Sequence, residues 1–314
     1  MAGCGGKLIK LEPVAPGAGI RIIAPASFAE QERVDRGIEA LRKLGFIPLP
    51  AAGAMKRGPL YFAGTREQRL ADIESAFADP DSSVVMCLRG GYGSNYLLDG
   101  LNLELIGKHP KPFFAYSDLT GIQTRLLDEL GLMAFHGPML AADFYREDGV
   151  HLPSFQAALA GVAYSVSEEE GLRTLMTGTA RGTLYGGCLS ILVSLLGTPW
   201  EPRTEGTLLF LEDVGAKPYQ IDRMLWQLRN AGKLDGVTGI VFGEMLDCVS
   251  AGASPQLLEE AILGALDGFN GPIAIGLRSG HVSRSNVTLR FGADAELRSG
   301  EEARLLLFAP AGGR

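Results

Sequence analysis

The chain has 314 residues, 46% of them apolar and 21% charged, with a formal net charge of −7 and a pI of about 5.3. That length accommodates two modest domains or one large one, and the composition is ordinary for a soluble globular protein. The acidic balance and scattered Lys and Arg exclude a broad nucleic-acid footprint, and no run of 18 apolar residues suits a membrane span.

The segment 19–26 (GIRIIAPA) is β-branched and ends at a proline, which predicts a buried first strand. Residues 30–44 place Val34, Ile38, Leu41 and Leu44 at helical spacing, with Gly45 as the stop. A short strand over 46–49 follows, then a helix over 65–77 with Thr65 as N-cap. The run 83–88 (SVVMCL) predicts a second buried strand that enters the loop Arg89-Gly90-Gly91-Tyr92-Gly93-Ser94. Residues 113–116 predict a third strand, and a helix begins at Asp118. Strands alternating with helices imply α/β architecture with a parallel sheet, whose ligands sit beyond the carboxyl ends of the strands.

Residues 149–177 are weakly periodic and read as a connection between two domains. The second half opens with the apolar segment 182–196. It continues with strands over 207–211 and 236–242, helices over 219–231 and 254–266, and short strands over 273–277, 287–291 and 303–307. The four cysteines, Cys4, Cys87, Cys188 and Cys248, show no CxxC pair, which fits reduced thiols in a cytoplasm. Cys87 and Cys188 read as packing residues, and no apolar stretch before Cys4 suggests a lipoprotein signal.

Three polar groups stand where apolar strands end: Ser117, Glu212 and His281. A serine hydroxyl needs a neighbouring base to take its proton and a carboxylate to orient that base, so the three together compose a nucleophile, an acid and a base. Each has a simpler alternative. Ser117 or Asp118 is also suited to cap the following helix, Asp213 competes with Glu212, and His136 competes with His281 as base. The glycine loop fails the dinucleotide fingerprint, because Tyr96 stands where its last glycine would fall, and no P-loop pattern is present. Its glycines are suited instead to bring a backbone N–H close to an oxyanion. No HExxH, His/Cys pair or carboxylate cluster points to a metal.

The segments CLRGGYGSNYLLDGL, FFAYSDLTGI, FHGPM, GTLYGGCLSILVSLLGTPW, LLFLEDVGAKPYQIDRMLWQLRNAGKLDGVTGIVFGEM and GLRSGHVSRSNVTLRFG occur in an order that resembles the LD-carboxypeptidase family, over nearly the full chain. The resemblance implies an N-terminal Rossmann-like domain over 1–160 carrying the nucleophile, and a C-terminal β/α domain over 161–314 carrying the Glu and His. It implies a cytoplasmic serine carboxypeptidase of cell-wall recycling, commonly a homodimer, that releases D-Ala from murein tetrapeptide with no metal and no cofactor. By motif, Ser117 is the nucleophile, Glu212 the orienting acid and His281 the general base. Backbone amides of Gly91 and Asp118 are candidates for the oxyanion, and Arg89 for the substrate carboxylate or a surface salt bridge. Arg290 departs from the family's usual proline. A branch of the family cleaves a peptide–nucleotide antibiotic and confers self-immunity; its extra nucleotide-binding sequence is not evident here. A non-catalytic muropeptide-binding protein is the alternative from another class.

Overall fold

Short apolar runs in the first half assemble into a parallel sheet. The computed structural model describes residues 8–310 apart from Ala251, Ala253 and Pro255; Cys4 lies outside the described residues. In chain order the first half gives β1 (Gly19–Ile23), α1 (Gln31–Lys43), β2 (Ile47–Pro50), α2 (Arg66–Ala78), β3 (Val84–Cys87), α3 (Leu103–Lys108), β4 (Phe113–Ala115), α4 (Thr120–Leu130) and β5 (Ala134–His136). Thr65 caps α2 in a reciprocal box: its hydroxyl accepts from the Gln68 amide, and the Gln68 side chain accepts from the Thr65 amide.

The five strands are parallel in the order β5-β4-β3-β1-β2, and the order reverses between β1 and β3. That is the switch point of a doubly wound sheet, where the loops leaving β1 and β3 splay and open a crevice. The loops after β1, β3 and β4 therefore converge on one place.

The second half builds a larger mixed sheet. Its elements are α5 (Leu152–Leu159), β6 (Tyr164–Val166), β7 (Arg173–Met176), β8 (Gly178–Cys188), α6 (Leu189–Ser194), β9 (Thr207–Glu212), α7 (Pro218–Asn230), β10 (Gly239–Gly243), α8 (Gln256–Ala265), β11 (Ile273–Leu277), β12 (Leu289–Phe291), β13 (Asp294–Ser299) and β14 (Arg304–Leu307). Eight strands run in the order β6-β14-β13-β8-β9-β10-β11-β7. The middle four, β8 to β11, are parallel, and β9 and β10 are buried along their whole length.

Two findings depart from the sequence reading. The stretch 149–177 is not a bare connection, since it holds α5, β6 and β7. Both strands lie at the edges of the second sheet and are only partly buried, so neither carries a strong apolar period. And β12 leaves the second half to pair antiparallel with β5, with Leu289 opposite His136. The chain that follows His281 is thereby anchored in the sheet that carries Ser117. Leu127 and Ala134 of the first half in turn pack into the apolar core of the second sheet. Among the described residues no helix is long and apolar enough to cross a membrane.

Candidate active site

Ser117 follows β4 with one residue, Tyr116, between them and sits at φ +66°, in the left-handed region that a side chain disfavours. Such a conformation costs on the order of 1–2 kcal/mol for an L-residue, so the surroundings must impose it. A 3-10 turn, Ser117–Leu119, then leads into α4. Neither Ser117 nor Asp118 caps that helix; its N-cap is Leu119, with no side-chain bond. The Asp118 carboxylate instead accepts from the Ser94 amide at 2.8 Å, and Ser94 Oγ donates to the Asp118 carbonyl at 2.5 Å. These bonds tie the elbow to the far end of the glycine loop.

The near end of that loop touches Ser117. An ideal Cβ built on Gly90 would lie 2.8 Å from Ser117 Cβ and 3.0 Å from its Oγ, so only glycine admits this approach. Gly91, at φ +111°, turns away toward Ser27. Ser27 knits the loops after β1 and β3 together: its amide donates to the Gly90 carbonyl, and its hydroxyl accepts from the Tyr92 amide. The amides of Gly91 and Asp118 donate to no acceptor among the described residues. Arg89 is exposed and makes no ion pair among them.

Glu212 and His281 lie at and just beyond the carboxyl ends of the second sheet. Glu212 closes β9 and is fully buried. Its Oε2 accepts from His281 Nδ1 at 2.7 Å and from the His281 amide at 3.0 Å. The His281 loop, leaving β11, must pass the end of β10 to reach it. Gly243 ends β10, and a Cβ there would lie 2.6 Å from Glu212 Cβ. Gly280 adopts φ +89°, and its amide and carbonyl are both held by the Asn286 side chain. That same Asn286 amide donates to Asp143, a buried carboxylate whose pKa burial pushes up to about 6.

Glu212 and His281 are thus brought together at 2.7 Å, while no hydrogen bond joins Ser117 Oγ to His281. The Tyr116 ring, adjacent to Ser117, meets the His281 ring edge-on with centroids 5.3 Å apart, so the two strand ends face each other. Catalytic hydrogen bonds are often long before substrate binds. Asp213 is occupied elsewhere, accepting from the Ser190 and Val214 amides at 2.8 Å each. His151 bonds Ser154 and approaches Glu170, and His109 is exposed. His136 is fully buried in aromatic surroundings.

Residues 20–137 match the LD-carboxypeptidase N-terminal domain, and residues 181–297 match the LD-carboxypeptidase C-terminal domain. This chain belongs to the LD-carboxypeptidase family. A probable murein peptide carboxypeptidase of Bacillus subtilis is 37% identical over 295 residues, 92% of each chain. The crystal structure of muramoyltetrapeptide carboxypeptidase from Oxalobacter formigenes is 30% identical with a TM-score of 0.81, covering 92% of this chain and 98% of that one. An MccF-like protein from Bacillus anthracis is 25% identical with a TM-score of 0.88, covering 96% and 99%. The mixed α/β fold with its two sheets is therefore the LD-carboxypeptidase fold.

Within that family fold the Glu212–His281 pair governs the local electrostatics. Burial works against a charged imidazole at His281, but the Glu212 carboxylate and its hydrogen bond outweigh it and raise the His281 pKa. Burial likewise opposes the Glu212 carboxylate, yet His281 and its amide hold the Glu212 pKa below the usual range. Cys188, read from sequence as packing, stands opposite Glu212 in the β8–β9 register. Its sulfur, a Glu212 oxygen and a His281 nitrogen lie within 4.8 Å of one another, a set of metal-ligand types. Glu212 Oε2 and His281 Nδ1 are already spent on each other, and burial pushes the thiol well above its ordinary pKa. The sequence reading missed Gly243 and Asn286; the FGE and SRSN stretches beside the strand ends were the available signal.

Proposed function

We propose that this chain is a serine LD-carboxypeptidase that hydrolyses the bond between meso-diaminopimelate and the terminal D-Ala of murein tetrapeptides. The observation that carries the reading is the buried Glu212 holding His281 Nδ1 at 2.7 Å, across from a serine strained at φ +66°. With Nδ1 engaged, Nε2 is the nitrogen left to take a proton. The names of the relatives supply the murein peptide.

In this mechanism Ser117 Oγ attacks the carbonyl carbon that precedes D-Ala, and its proton passes to His281 Nε2. Glu212 fixes the tautomer and stabilises the imidazolium. The free amides of Gly91 and Asp118 meet the oxyanion. Collapse breaks the C–N bond, and His281 gives its proton to the leaving amine. Water, deprotonated by His281, then attacks the acyl-enzyme, and the proton returns to Ser117 as the tripeptide leaves. The same reading carries a cytoplasmic homodimer, which light scattering on the purified protein checks for mass.

The test is release of free D-Ala from purified murein tetrapeptide, with Ser117→Ala as control. Release by wild type with a loss of at least about 10⁴-fold in the variant is expected, since removing a triad nucleophile costs roughly 10⁶ in related chemistry. No release by wild type, with Ser117 still labelled by a fluorophosphonate, would redirect the search to aminoacyl-nucleotide substrates. No label at all would leave a muropeptide-binding protein.

A further inference from the structure

Two buried polar groups beside the Glu212–His281 pair have no protein partner. Glu212 Oε1 is one; its sister oxygen takes both bonds to His281. The other is the His136 ring, in which both nitrogens lack a partner although the residue is wholly buried. A buried polar group without a partner ordinarily costs about 1–3 kcal/mol, so two together at one site call for an explanation.

The two orphans flank the same point. An ideal Cβ on Gly280 would lie 2.6 Å from Glu212 Cδ and 2.8 Å from His136 Nε2, so glycine at 280 leaves the space between them open. His136 closes β5 at the register level of Ala115 and Leu289. Its ring is confined by Phe210 and Phe291, each with centroids 5.1 Å away, and by Tyr116 at 5.8 Å. A ring so enclosed has little freedom to find another partner. Burial pushes the His136 pKa down to about 4, so the imidazole is neutral at working pH and carries one N–H.

The two orphans do not bond each other in this structure, but they face one another across the gap that Gly280 leaves. We propose that His136 is a positioning residue for Glu212: a small shift across that gap lets its neutral ring present Nε2–H to the carboxylate oxygen that His281 leaves unused. His281 then orients one oxygen, His136 the other, and the carboxyl plane is fixed from both sides. The role differs from that of the base, for which the sequence reading kept His136 in competition. The inference rests on the serine-peptidase reading above.

The sign of the pH effect follows from charge. The other groups that face the pair are Cys188 from β8, Asp213 from the end of β9, and Tyr116 with Asp143 from the first sheet side; the carboxylates favour a protonated His281. A donor on Oε1 stabilises the anionic state, Glu212 ionised with His281 neutral, more than the protonated state, in which the imidazolium already compensates the charge. Removing that donor raises the apparent pKa of the pair, and the acid limb of activity moves to higher pH.

The experiment compares wild type, His136→Phe and His136→Gln by D-Ala release across pH, and by the rate at which a fluorophosphonate labels Ser117. Phe keeps the ring volume and loses the donor, whereas Gln keeps an N–H donor. His136→Phe is expected to lose about 10- to 100-fold in kcat, by analogy with the outer partners that orient metal-ligating side chains, with KM changed less than about twofold and the acid limb displaced upward. His136→Gln is expected to return kcat to within about threefold of wild type and to restore the limb. Wild-type kcat and limb in a folded His136→Phe variant would overturn the proposal. So would equal losses in both variants with the limb unmoved, which would mark the ring as packing alone. The labelling rate needs no murein substrate, so a failed substrate assignment stays distinguishable from a failed role for His136. Should His136→Phe not fold, His136→Met, which also lacks an N–H donor, takes its place: its labelling-rate limb is expected to move to higher pH than that of wild type, and an unmoved limb would overturn the proposal.

Discussion

At the end of β4 the site is made of backbone. Ser117 is bent to φ +66°, a glycine without a Cβ lets the loop after β3 rest on it, and two free amides lie nearby. At the ends of β9 and β11 the site is made of side-chain charge: a fully buried carboxylate and an imidazole bonded to it at 2.7 Å. The first arrangement stores conformational strain that the sheet and the Asp118–Ser94 bonds hold in place. The second sets proton affinity and depends on pH. Division of the site in this way means that backbone and charge can be perturbed separately, by different experiments.

The charged half responds most strongly. Glu212→Gln keeps the shape and removes the charge that raises the His281 pKa. Loss of the orienting acid in a comparable triad costs about 10⁴ in kcat, and a drop of roughly 10³ to 10⁴ is expected here. Burial alone lowers a histidine pKa, so the acid limb of the residual activity should fall to lower pH. Stability follows the same pair. Glu212 has a lowered folded pKa, so its contribution is complete above the ordinary value of 4.5 and is lost as pH falls through the folded value. His281 has a raised one, so its contribution is complete below 6.5 and is lost as pH rises through the folded value. The stability margin of wild type over Glu212→Gln, measured by urea midpoints, should therefore be widest between 4.5 and 6.5. A margin that does not vary with pH would break the assignment of charge to this half.

The backbone half calls for a backbone change. Gly91→Pro is a poor probe because Gly91 sits at φ +111°, and proline is locked near −65°. Replacing the residue-91 amide by an ester retains the glycine conformation and removes only the N–H. A fall of about 10² to 10³ in kcat is expected for one oxyanion donor, with no movement of the acid limb. Unaltered kcat would remove Gly91 from the oxyanion site and leave Asp118, or the neighbouring Gly90 amide, to be tested in the same way.

The same division explains what could be read from the sequence. β3, β4, β9 and β11 are wholly or nearly wholly buried, and their apolar runs show as strands with a polar residue at the end. That is why Ser117, Glu212 and His281 stood out. β6 and β7 are edge strands with partly exposed faces, and 149–177 is therefore weakly periodic and reads as a connection. The return of β12 to the first sheet is a long-range pairing that no local period encodes. Gly90 and Gly243 matter through an absent Cβ, which becomes visible only when Ser117 and Glu212 are seen beside them. His136 reads as a candidate base because a histidine at a strand end looks alike in sequence whether its ring faces Ser117 or Glu212.

The smallest effect belongs to neither half. Arg89 leaves β3 beside the glycine loop, is exposed, and pairs with no carboxylate among the described residues, which leaves its guanidinium available to substrate. A carboxypeptidase must bind a free terminal carboxylate, and an arginine fork does so through two parallel bonds. For Arg89→Ala a rise of about tenfold in KM with kcat unchanged is expected, the lower part of the range for a charge-assisted bond because Arg89 is exposed. A surface role also predicts small effects, so the discriminating substrate is the same tetrapeptide ending in D-alaninamide. If Arg89 holds the carboxylate, wild type prefers the acid over the amide and Arg89→Ala loses that preference while its KM for the amide stays at the wild-type value. An undiminished preference for the acid in the variant would assign carboxylate recognition to another group.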